Sequence, residues 1–188
     1  MRRVILQEFV TIDGFAAGTD GSVDFVPAST SGDHSFGQRQ LDFMDTIDAM
    51  LLGRVTYDMF SGYWPNVTSG DEKPFADKLN AIPKVVFSST LERAPWGKWD
   101  NAEVVKHSAA KELANLKQAS GKDMVIWGSL TLARSLIDAN LIDEYQLIVC
   151  PVILGDGKRL FHRTLDLRLL RTQAFDRGAV LLSYTAGA

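Results

Sequence analysis

The sequence predicts an α/β domain with a mostly parallel central sheet flanked by helices and finished by an antiparallel carboxyl-terminal edge. Three observations carry this. From Val4 to Ala139, β-branched apolar runs alternate with segments of helical spacing, the pattern of strands joined by crossover helices. From Tyr145 onward strand-like runs follow one another with no helix between them. The chain has 188 residues, enough for a full core, and no Pro-, Gly- or Ser-rich linker divides it. Residues 1–188 therefore read as a single domain.

Val4 to Ile12 is aromatic- and β-branched-rich and stops at Asp13-Gly14, as a buried strand closed by a turn does. Ala16 to Gly32, rich in Gly, Ser, Thr and Asp, reads as a loop. Phe36, Leu41, Phe43, Met44 and Ile47 predict a helix from about Ser35 to Thr46. Ala49 to Leu52 is a short buried strand stopped by Gly53, with a short helix from Val55 to Phe60. Asp71 to Ala81 is helical and Pro83 ends it. Lys84 to Ser88 and Glu103 to Lys106 are strands. Ser108 is placed to cap a helix reaching about Ala119, stopped by Gly121. Met124 to Trp127 is a strand, Leu130 to Ala139 a helix, and Tyr145–Val152, Leu167–Phe175 and Val180–Thr185 are the closing strands.

Composition removes several functions. Lys and Arg total 20 against 23 Asp and Glu, a net charge of −3 with no basic tract, which argues against nucleic-acid and anionic-membrane partners. No apolar run nears the roughly 18 residues of a membrane helix. Gln7 and Glu8 break the first apolar stretch too early for a signal peptide. With one cysteine, Cys150, no internal disulfide forms, and a reducing, cytoplasmic location is expected. Cys150 lies in the apolar run Leu147 to Cys150 and reads as a small buried hydrophobe. His34, His107 and His162 are scattered, so no metal site is expected. Phosphate-loop, G-x-G-x-x-G and G-x-S-x-G motifs are all missing.

Three predicted strand ends carry small or polar residues. In Leu51-Leu52-Gly53-Arg54-Val55-Thr56-Tyr57, the glycine opens the backbone, and Arg54 and Thr56 stand at a helix start where free N–H groups favour phosphate. Arg54 would add a charge-assisted fork; a surface ion pair is its alternative. Ser88-Ser89-Thr90 offers hydroxyls to a phosphate or to a turn. Gly128-Ser129-Leu130-Thr131 again joins a strand to a helix. Three such ends converge on the crevice where open α/β sheets bind ligands. Asp13 ends the first strand at the same crevice, as an active-site carboxylate or as a turn residue. Trp127, Trp64 and Phe15 are aromatics available to stack on a planar substrate or to fill the core.

These segments resemble known enzymes. Leu52-Gly53-Arg54-Val55-Thr56-Tyr57 resembles the G-R-x-T cofactor segment of dihydrofolate reductases. Thr11-Ile12-Asp13-Gly14 is similar to the S-L-D-G segment of the reductase domain in riboflavin-biosynthesis deaminase-reductases. Asp143-Glu144, Pro151 to Gly155 and Gly157 to Phe161 look like that domain's D-E…P-x-x-L-G-x-G-x-x-L-F signature. The likeness runs from Val4 to about Tyr184. Trp127 stands where the riboflavin-pathway enzymes typically carry Glu, and Ser89 where many relatives have a basic residue. The resemblance implies a dihydrofolate-reductase-like fold and NADPH at Gly53, Arg54, Thr56, Ser88, Ser89, Gly128, Ser129, Leu130 and Thr131. It also implies hydride transfer to a C=N or C=O of a small pterin- or pyrimidine-like substrate near Asp13, Phe15 and Trp127, and a homodimer. A non-catalytic nucleotide-binding or sensing module with the same fold is the alternative.

Overall fold

The computed structural model describes residues 1–187. In chain order the elements are β1 (Val4–Thr11), β2 (Phe15–Ala17), α1 (Phe25–Thr30), α2 (His34–Met44), β3 (Ile47–Gly53), α3 (Arg54–Tyr63), α4 (Lys73–Ala81), β4 (Lys84–Phe87) and β5 (Ala102–Val105). There follow α5 (Ala109–Gln118), β6 (Asp123–Trp127), α6 (Leu130–Asp138), β7 (Glu144–Cys150), β8 (Lys158–Arg159), β9 (Leu167–Ala174) and β10 (Val180–Ala186). Eight strands form one sheet in the order β5-β4-β3-β6-β1-β7-β10-β9. The pairings from β5 to β7 are parallel, and β10 and β9 add the antiparallel edge, as the sequence predicts. Among the described residues no helix is long and apolar enough to cross a membrane.

β1 sits between β6 and β7, which pair with both of its edges, and residues of helices pack on both of its faces, so its alternation serves two cores. Val4, Leu6 and Val10 join Leu113 of α5 and Leu132, Ala133 and Leu136 of α6. Ile5 faces the other way, onto Phe43 and Met44 of α2 and Leu79 of α4. Gln7 lies on that second face yet is only 1% exposed, so its amide must be satisfied inside. Its Oε1 accepts from Gln40 Nε2 at 2.9 Å and from Trp127 Nε1 at 2.8 Å, and its Nε2 donates to Gln146 Oε1 at 2.9 Å. Gln146 in turn donates to Glu144, which also accepts from Arg3.

The segment Ala16 to Gly32 departs from the expected loop. β2 pairs antiparallel with β8, which lies about 140 residues further on, and α1 follows it. A three-residue strand with so distant a partner leaves no periodic trace. α2 starts one residue early because Asp33 caps it, accepting from Phe36 N–H at 2.9 Å. Ser108 is the residue before α5 but makes no side-chain cap bond. α3 runs on to Tyr63, past the expected stop at Phe60.

Candidate cofactor and substrate site

Because β1, β3, β4, β6 and β7 are parallel, their carboxyl ends share one edge of the sheet. Two loops at that edge lock together. Ser129 Oγ accepts from Gly53 N–H at 2.8 Å, and Ser129 N–H donates to Thr56 Oγ1 at 2.8 Å. Gly128 is left-handed (φ +55°), and a Cβ there would lie 3.0 Å from Thr56 Oγ1. Glycine is therefore required for conformation and for space. The structure brings Gly53, Thr56, Gly128 and Ser129 together as expected, but engages both hydroxyls with backbone N–H groups. Leu130 and Thr131 form the first turn of α6, with Thr131 exposed.

Arg54 opens α3 with its side chain 51% exposed. Its Nη1 donates to Thr90 Oγ1 at 2.6 Å, and Nε lies 3.4 Å from Asp58 Oδ2 one helical turn on. Ser88 Oγ is 3.3 Å from Thr90 Oγ1 and accepts from Leu91 N–H at 3.1 Å. The guanidinium and two hydroxyls thus share one exposed corner between β3 and β4. Ser89 is exposed beside them, while Thr90, the last of the three hydroxyls that the sequence offers here, makes the direct contact to Arg54. The exposed contact to Asp58 contributes little.

Asp13 does not face the crevice as a free acid. Its Oδ1 accepts from Thr11 Oγ1 at 2.5 Å and from Leu154 N–H at 3.3 Å, and its Oδ2 from Gly155 N–H at 2.7 Å. The Thr11 hydroxyl, with those backbone N–H groups adding, holds its carboxyl below the usual range. Asp13 pins the end of β1 to the loop after β7 and is a poor proton donor at neutral pH.

The two aromatics also differ from expectation. Trp127 is 6% exposed, with its ring against Phe43 and Phe75 and its N–H on Gln7. Phe15 is 7% exposed and covered by the Arg159 guanidinium, 4.5 Å from the ring centroid. Neither offers an open face; both complete the core. Trp64 is half-buried among Phe60, Tyr63 and Phe75.

One group went unnoticed in the sequence. Glu8, 6% exposed in the middle of β1, accepts from the Phe9 N–H through Oε1 at 3.2 Å, while Oε2 has no hydrogen-bond partner. Burial pushes its carboxyl up to about 8. The β1–β6 ladder ends at Gln7 and Trp127, so Glu8 follows its last β1 residue and Gly128, where the chain leaves β6, its last β6 residue. The sequence signal was a glutamate inside an apolar strand, which reads at first only as the end of the apolar run.

A model of the RibD C-terminal domain matches residues 2–181. The chain belongs to the RibD C-terminal domain family. The uncharacterized protein YyaP of Bacillus subtilis (strain 168) is 33% identical to it over 97% of this chain and 94% of its own length. Two solved structures share the fold of this RibD C-terminal domain. One is a diaminohydroxyphosphoribosylaminopyrimidine deaminase/5-amino-6-(5-phosphoribosylamino)uracil reductase from Thermotoga maritima, with a TM-score of 0.67 at 14% identity, matching 99% of this chain and 57% of that one. The other is dihydrofolate reductase from Enterococcus faecalis complexed with NADP(H), with a TM-score of 0.62 at 14% identity, matching 99% of this chain and 97% of that one. The dihydrofolate-reductase-like fold expected from the motifs is therefore that of the RibD C-terminal domain described above.

Proposed function

We propose that the chain is an NADPH-dependent reductase that delivers a hydride to a C=N or C=O carbon of a small pyrimidine- or pterin-like heterocycle. The observation that carries this is the corner formed by Arg54, Thr90 and Ser88 at the strand ends. A half-exposed guanidinium backed by hydroxyls, at a helix start, fits the 2′-phosphate of NADPH. Gly53 and Gly128 keep Cβ atoms out of the adjoining loops, as close approach of a dinucleotide requires. Membership in the RibD C-terminal domain family supports a pyrimidine-like substrate, and the likeness to an NADP(H)-bound dihydrofolate reductase supports the cofactor. When bound, the reduced nicotinamide supplies the hydride; the chain's residues orient both rings and exclude water.

The test is to titrate NADPH and NADH against wild type and Arg54→Ala. A hydrogen bond to a charged group contributes about 1.5–3 kcal/mol, so NADPH binding should weaken roughly ten- to a hundredfold. NADH, lacking that phosphate, should change much less. Equal weakening, or no change, would remove Arg54 from the 2′-phosphate.

One observation favours a second reading, a non-catalytic nucleotide-binding or sensing module. Asp13, the carboxylate expected to serve catalysis, is held in hydrogen bonds to the loop after β7. NADPH binding without oxidation by any of a panel of pterins and pyrimidines would support that reading.

We also propose a cytoplasmic homodimer. A single buried cysteine, Cys150, fits a reducing compartment. Edge strand β9 is largely exposed, with Leu169 and Leu170 at 51% and 46%, and such an edge is a liability unless covered. Light scattering at micromolar concentration should give about twice the chain mass of 20.7 kDa, and a monomer would sink the proposal.

A further inference from the structure

A reduction of a C=N or C=O bond needs a proton as well as a hydride, and Asp13 does not supply it. We propose that Glu8 is the proton donor: its carboxyl, set in β1 with one oxygen lacking a partner, passes its proton to the nitrogen or oxygen of the acceptor bond. This rests on the reductase reading above.

Three observations place it there. Glu8 alternates with Leu6 and Val10, so its carboxyl enters the layer that those residues share with Leu130 and Leu132 of α6, Ala16 of β2 and Leu160 beside β8. Leu130 opens α6 just after β6 ends, and Ala16 lies in β2 just after β1 ends, so that layer reaches the carboxyl edge of the sheet. Next, Oε2 is buried without a partner, and an unsatisfied polar atom in a native interior calls for an explanation. A ligand with a hydrogen-bond acceptor completes it. Finally, burial is the main influence on this carboxyl, opposed by the Phe9 N–H alone, so it is protonated at neutral pH and available as an acid. Lys84, a second buried group shifted far from its ordinary value, lies at the start of β4. It is already bonded to the Asn80 carbonyl and covers the Trp96 ring.

The step balances. Hydride from the reduced nicotinamide bonds to the acceptor carbon, and the cofactor is oxidised by two electrons. The π pair of the acceptor bond moves to its nitrogen or oxygen, which bonds the proton released from Glu8 Oε2. The Glu8 carboxylate then regains a proton from water.

The experiment compares wild type, Glu8→Gln and Glu8→Asp. Infrared spectroscopy of the ligand-free protein at neutral pH should show a protonated-carboxyl band that Glu8→Gln lacks. Adding dihydrofolate or 5-amino-6-(5-phosphoribosylamino)uracil should shift that band in wild type. Glu8→Gln should melt no lower than wild type and bind NADPH within about twofold of it. Its acceptor-dependent NADPH oxidation should fall about a hundredfold, at the low end of general-acid effects. Glu8→Asp, which keeps the acid but shortens its reach, should fall less. Glu8→Gln turning over at the wild-type rate, or retaining the carboxyl band, overturns the assignment of Glu8 alone. Wild type that binds NADPH but oxidises it with no acceptor overturns the reductase reading and this proposal with it.

Discussion

Glu8→Gln should match wild type in stability near about pH 5 and exceed it by several kcal/mol near about pH 9. The Glu8 carboxyl is pushed from its ordinary 4.5 to about 8 in the folded protein, so the folded state holds that proton more tightly than the unfolded chain. The resulting stabilisation is full below the ordinary value and is lost as pH rises through the folded one. That gap corresponds to about 5 kcal/mol. Glutamine has nothing to lose in this window. Lys84 acts in the next window with the opposite sign. Burial lowers its ammonium from 10.5 to about 7, so the unfolded chain holds that proton better, and stability rises with pH between those values. The wild-type curve should therefore fall and then recover, and only the difference between the two proteins isolates Glu8. Urea denaturation across the range measures it; parallel curves would mean that Glu8 does not titrate in a buried setting.

The second large effect is Trp127→Ala, for which we expect a loss of about 3–5 kcal/mol, the range for removing a buried tryptophan. The ring centroids of Phe43 and Phe75 lie 6.2 and 5.9 Å away, and the indole N–H is one of two donors on Gln7 Oε1. Trp127→Phe keeps most of the packing and removes the hydrogen bond, so it should lose about 1 kcal/mol. NADPH binding by Trp127→Phe should match wild type. A stable Trp127→Ala protein with weakened acceptor binding would instead return Trp127 to the crevice.

The fold was legible where local pattern and tertiary role agree. β1, β3, β4 and β6 are short apolar runs closed by glycine, proline or polar residues, and α6 shows its apolar face at helical spacing. What escaped depends on partners distant in the chain. β2 exists because β8 pairs with it. That Arg54 meets Thr90 rather than Ser88 or Ser89 follows from the end of β4 lying beside the start of α3. Asp13 looked like an active-site carboxylate, and its commitment to Leu154 and Gly155 is visible only once the loop after β7 is in place. Gln7 and Glu8 are adjacent polar residues in one strand. Gln7 has a partner for both its amide oxygen and its amide nitrogen while Glu8 leaves one oxygen without, a difference set by Gln40, Trp127 and Gln146 around Gln7.

The place of β1 in the sheet bears on how the chain acquires its shape during synthesis. β1 occupies an interior position in the sheet, yet both of its neighbours, β6 and β7, come far later in the chain, beginning at Asp123 and Glu144. A nascent chain synthesised only as far as about residue 100 holds β3 and β4, but nothing that pairs with Val4–Thr11. That apolar segment must wait, unpaired, until β6 and β7 have been made more than a hundred residues later, and it is then inserted between them. Such non-local closure is slow, and it leaves a hydrophobic strand available to chaperones or to wrong partners throughout translation.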